Sequence, residues 1–107
     1  MKGIIYCQKL ETGVNQLKEI VDSYSSVGIH LSEKVATGNR YEKALMAKFD
    51  NGDEWTVVKA TDGAKLYTCN VAYIDRMINN DLVEKVIMPT IKASPYQAFR
   101  YYNWGNW

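Results

Sequence analysis

The chain has 107 residues, is 47% apolar, and carries 13 basic against 12 acidic side chains. That length suits one core rather than two, so 1–107 is read as a single domain. Near-balanced charge removes any global electrostatic case for DNA, RNA or an anionic membrane, and no apolar run approaches the roughly 18 residues needed to cross a bilayer.

The opening stretch, MKGIIYCQKLETG, is apolar only as far as Cys7. A secretory signal needs a longer apolar run, so the chain reads as intracellular. Within that stretch, KGIIYCQ (2–8) is a short apolar run bounded by polar residues, the pattern of a strand buried on both faces. From Leu10 the period changes: Val14, Leu17, Ile20, Val21 and Tyr24 recur at three- and four-residue spacing and predict a helix over about 10–27. Thr12 is its expected cap, and Ser-Ser-Val-Gly at 25–28 its expected end.

A hairpin follows over 42–60. EKALMAKF and EWTVVKA flank DNGD, whose Asn-Gly pair supplies the positive φ that a tight reversal requires. HLSEKVA (30–36) is a weaker candidate for a third strand beside it. TDGAKLYTCN (61–70) reads as a loop, and VAYID (71–75) as a second central strand. A helix is expected over about 80–93, with Asp81 as its cap and Leu82, Val83, Val86 and Ile87 on its buried face. Pro89 should kink or end it. QAFRYYNW (97–104) is aromatic and β-favouring. The order gives an α/β fold of two or three layers: a short parallel sheet of strands 3–8, 71–75 and 97–104, two main helices and an inserted antiparallel hairpin.

The run FDNGDEWTVVKATDGAKLYTCNVAYIDRMINNDLVEKVIMPTIKAS, together with GIIYCQKLETGVNQLKEIV, resembles the ATPase core of large-subunit phage terminases, the DNA-packaging motors. The resemblance covers roughly 3–100. It implies that strands 3–8, 71–75 and 97–104 lie side by side in a RecA-like sheet, and that Asp75 stands where the family places a metal-binding aspartate. Two features depart from the family. No G-x-x-x-x-G-K-[ST] occurs, so neither converging backbone N–H groups nor a lysine is supplied for the β- and γ-phosphates. Arg76 stands where the catalytic glutamate would follow, putting a cation in place of the group that activates water. ATP hydrolysis by this chain alone is therefore not expected, and no catalytic, cofactor or metal residue is assigned. The plainer role for Asp75 is to cap the turn after its strand.

The remaining candidates are weighed on the same footing. Zinc would need Cys7, Cys69, His30 and a carboxylate without recognisable ligand spacing; buried thiols are the simpler reading. His30 near Ser32 and Glu33, or Cys7 as a nucleophile, offers no convergent set. The resemblance implies that strand 97–104, without a phosphate-loop strand beside it, has a free edge, and Arg100, Tyr101, Tyr102, Trp104 and Trp107 stand at or beyond it. They mark a surface for a host or phage protein or for a second copy of this chain, or else they cover the core. Binding of this kind suits a phage or prophage accessory protein in the host cytoplasm, acting by blockade, as inhibitors of bacterial defence systems do. The alternative is a nucleic-acid-binding packaging factor using Arg40, Lys43, Lys48, Lys59 and Lys65, with Tyr41 and Trp55 stacking. Interleaved Glu42, Asp50, Asp53, Glu54 and Asp62 keep that hairpin near neutral.

Overall fold

The computed structural model describes residues 1–38, 43–61, 68–92 and 98–103. In chain order the elements are β1 (Lys2–Cys7), α1 (Leu10–Ser26), β2 (Leu31–Gly38), β3 (Lys43–Phe49), β4 (Glu54–Lys59), β5 (Val71–Asp75), α2 (Asn80–Leu82), a π turn (Val83–Ile87), α3 (Met88–Lys92) and β6 (Ala98–Tyr102). The six strands form one mixed sheet in the order β2-β3-β4-β1-β5-β6. The expected trio lies side by side: β1 runs parallel to β5, and β5 parallel to β6. The hairpin is more than an insertion, because β4 also pairs in parallel with β1, and β2 extends the ribbon on its far side.

Alternation along β1 divides the core between the two faces of the sheet. Ile5 and Cys7 join Leu17 and Ile20 of α1, with Phe49, Trp55, Val57 and Tyr102, on one face. Ile4 and Tyr6 join Ala72, Ile74, Val83, Val86, Ile87 and Ile91 on the other. Helices thus cover both faces, which is why β1 is buried at every position from Gly3 to Cys7. α1 lies close to the sheet because residue 13 is glycine: a Cβ there would sit 2.5 Å from Val57 Cγ1 and 2.9 Å from Cys7 Sγ. Asn51-Gly52 turns the β3–β4 hairpin as expected, but only Gly52 takes a positive φ, 92°; Asn51 instead accepts through Oδ1 from the Asp53 N–H at 3.0 Å.

Two local expectations are corrected, and the disruption expected at Pro89 takes a specific form. The residue preceding α1 is Lys9, and Thr12 does not cap it: the Thr12 hydroxyl lies 2.7 Å from the Lys9 carbonyl and 3.2 Å from Asp75 Oδ2. At α2 the cap is Asn79, whose Oδ1 accepts from the Asp81 N–H at 2.8 Å, so Asp81 is the recipient of the cap. The helix over 80–93 is interrupted by the π turn just ahead of Pro89. Proline has no N–H for the carbonyl four residues back and its ring crowds that carbonyl; a wider turn at this point relieves both.

Candidate functional site

From β1 the chain passes into α1 on one face of the sheet, and from β5 into α2 and α3 on the other. β1 and β5 are adjacent, so their carboxyl ends diverge. In open α/β sheets such a divergence makes the crevice that receives ligands. Here it is occupied by a side chain of the protein itself. Asp75, the last residue of β5, is 1% exposed. Its Oδ1 accepts the Met77 N–H at 3.0 Å, closing the turn that follows the strand. Its Oδ2 accepts the Gln8 N–H at 3.3 Å and lies 3.2 Å from the Thr12 hydroxyl, which ties β5 to the start of α1. The capping role expected for Asp75 is therefore present, with two long-range bonds added to it. A carboxylate with both oxygens engaged by protein donors is built to hold a corner together.

The neighbouring groups are equally committed. Burial pushes the Cys7 thiol up to about 11, with the Asp75 charge adding to the shift, so Cys7 stays protonated near neutral pH. It is not an activated nucleophile. Cys69 lies in the core of the opposite sheet face, its thiol also raised by burial. His30 is exposed at the start of β2. Among the described residues, no three histidine, cysteine, aspartate or glutamate side chains come together as a metal site. Arg76 turns away from the crevice: its backbone N–H donates to the Tyr102 carbonyl at 3.0 Å, and its guanidinium carbon lies 5.4 Å from the centre of the Tyr101 ring.

The late aromatic residues divide by parity. Among the described residues, β6 is an edge of the sheet. Tyr102, expected on the edge surface, is 8% exposed; it packs with Cys7, Ile5 and Leu17 and donates to the Tyr6 carbonyl at 2.8 Å. Burial raises its hydroxyl far above the usual tyrosine range. Tyr101 is 41% exposed and Arg100 is exposed. Phe99, not singled out from the sequence, is 45% exposed and stacks edge-to-face on Tyr101 with centroids 6.1 Å apart. Strict alternation in AFRYY is the signal that could have paired Phe99 with Tyr101 and set Tyr102 apart. Trp104 and Trp107 lie outside the described residues.

The hairpin does not assemble the alternative nucleic-acid surface from its described residues. Trp55 is buried and donates through Nε1 to the Tyr24 hydroxyl at 3.0 Å, so it offers no face for a base. Lys48 is 3.9 Å from Glu54. Lys59 is exposed at the end of β4. Arg40, Tyr41 and Lys65, and the side chain of Lys43, lie outside the described residues.

No family model matches this chain, and no curated protein does. Among solved structures it is similar to the large terminase ATPase domain of Thermus phage P74-26, solved as a point mutant, at 16% identity and a TM-score of 0.52. The fold is terminase-like. The match covers 99% of this chain and 50% of that domain, so the chain spans about half its length. It supports the family resemblance drawn from the hairpin, Asp75 strand and following helix at the level of fold.

Proposed function

We propose that this chain acts without turnover, as an accessory protein of phage or prophage origin that docks on a host or phage protein through the β6 edge. Steric blockade of that partner, for example a component of a bacterial defence system, is the mode of action this reading favours. The observation that carries it is the edge itself: Phe99 and Tyr101 are exposed side by side on a terminal strand that has no bulge and no acidic residue. Unpaired strand edges recruit other chains, and exposed aromatics supply the contact energy for doing so. Two further points argue for binding over catalysis. The Asp75 carboxylate is taken up by protein donors, and Arg76 stands where a water-activating glutamate would be needed.

A photo-crosslinking side chain placed at position 99, and separately at position 32 on the opposite edge, tests this in lysate from phage-infected cells. A discrete protein adduct is expected from 99 and none from 32. Equal labelling from both positions, or an adduct removed by nuclease, would displace the reading in favour of non-specific contact or of nucleic-acid binding. Purified protein should release no phosphate from ATP above background; release that disappears in Asp75→Asn would overturn the non-catalytic assignment.

A further inference from the structure

The backbone of β6 specifies what its edge can accept. Ala98 donates its N–H to the Asn70 carbonyl at 3.3 Å, and the Tyr102 carbonyl accepts from the Arg76 N–H at 3.0 Å. Both lie on the β5 side. Hydrogen-bonding direction alternates along a strand, so Ala98, Arg100 and Tyr102 turn their peptide groups toward β5, while Phe99 and Tyr101 turn theirs away. Among the described residues, the free N–H and C=O groups of the edge therefore belong to the same two residues whose rings are exposed. A strand added here would bond to Phe99 and Tyr101, lay two of its side chains beside those rings, and place the side chain between them opposite Arg100.

Charge selects among the strands that fit this geometry. Ala98–Tyr102 contains one charged side chain, Arg100, which is exposed; the one carboxylate of the neighbouring β5, Asp75, is buried and bonded. Arg76 adds a second cation over Tyr101. A second copy of the chain is a poor match. Antiparallel self-pairing with full overlap of Ala98–Tyr102, bonded through Phe99 and Tyr101, sets Arg100 directly opposite Arg100 of that copy. Like charges directly opposite one another destabilise a strand pair, and opposite charges stabilise it.

Resting on the docking reading above, we infer that the β6 edge takes an extended segment of another protein with the pattern apolar–acidic–apolar. Its carboxylate faces Arg100, and its two apolar side chains pack beside Phe99 and Tyr101. This is β-strand addition, in which main-chain bonds supply affinity and alternate side chains supply selectivity.

The test uses the full chain and two labelled nine-residue peptides that alternate threonine and valine. One carries glutamate at its centre on the threonine face; the other carries lysine there. The glutamate peptide should bind about tenfold more tightly, the swing between a favourable and an unfavourable cross-strand charge pair. R100E should reverse that order and R100Q should level it; position 100 is exposed, so both should fold. Amide exchange read residue by residue should slow at Phe99 and Tyr101 on binding and stay unchanged at Arg100. Equal binding of both peptides, or protection at other residues, overturns the inference while leaving the edge a docking surface. Failure of both peptides alongside a protein adduct from position 99 has the same meaning. Failure of both with no adduct removes the docking reading as well. Self-association of wild-type chain with protection of Phe99 and Tyr101 overturns the choice of occupant, and so does binding of an oligothymidylate in place of the peptides.

Discussion

The two edges of the sheet are treated differently by the sequence. β2 carries exposed Ser32, Glu33 and Lys34, and its pairing with β3 is broken by an irregularity between Leu31 and Glu33. A kinked edge with charge of both signs resists the approach of another strand. β6 keeps an unbroken register from Ala98 to Tyr102 and presents Phe99 and Tyr101. One edge is guarded and the other open. Leu31 of β2 is also exposed, at 39%, so what sets β6 apart is its unbroken register and its adjacent aromatic pair.

Predictions that test this contrast differ in size. The largest concerns the inward side of β6. Tyr102→Ala should lower unfolding free energy by about 3–5 kcal/mol in urea denaturation, because a buried ring and its bond to the Tyr6 carbonyl are both lost. Phe99→Ala should cost about 1 kcal/mol or less by the same measure. Comparable losses from the two would mean that the strand has no inner and outer side. Next in size, Asp75→Ala should destabilise by about 1–3 kcal/mol, since it removes the acceptor of the part-buried Gln8 and Met77 N–H groups. It should leave the Phe99 adduct unchanged in refolded protein; loss of the adduct in fully folded material would tie the edge to the crevice.

Guarding β6 and unguarding β2 sharpens the comparison further. Tyr101→Lys should abolish the partner adduct while changing stability by no more than about 0.5 kcal/mol. Glu33→Val with Lys34→Val should make the chain associate in light scattering at concentrations where the unmodified chain does not; unchanged scattering would show that the irregularity alone protects β2. The smallest effect lies between α1 and the β3–β4 turn. Burial alone would raise the Asp53 carboxyl, but hydrogen bonds from Tyr24, the amino terminus and Asn51 outweigh it and hold the group below its usual 3.8. A depressed folded-state pKa gives stability that is complete above the unfolded value and is lost as pH falls through the folded one. Thermal scans should therefore show a shallow decline below about pH 4, reduced in Asp53→Asn.

Much of the fold is legible because its signals are local. Apolar period gave β1, α1 and β5, Asn51-Gly52 gave the β3–β4 turn, and the aromatic run gave β6. The π turn escaped because helix period alone does not say how a proline will be absorbed. Of the site, the position of Asp75 at a strand end was readable, and so was its cap to the next turn. Its bonds to Gln8 and Thr12 were not, since those partners lie 67 and 63 residues away. Tyr101 and Tyr102 look alike in the chain, and only the packing of β6 beside β5 sends one outward and the other into the core.

By itself, then, the sequence determined which segments are strands and helices, because φ/ψ preference and side-chain period act over a few residues. The tertiary structure decided which aromatic of β6 stayed at the surface, that β4 and β2 extend the sheet beyond β1, and that Asp75 reaches Gln8 and Thr12 as a brace. Those outcomes depend on contacts between segments far apart in the chain, and no local pattern encodes which segments will meet.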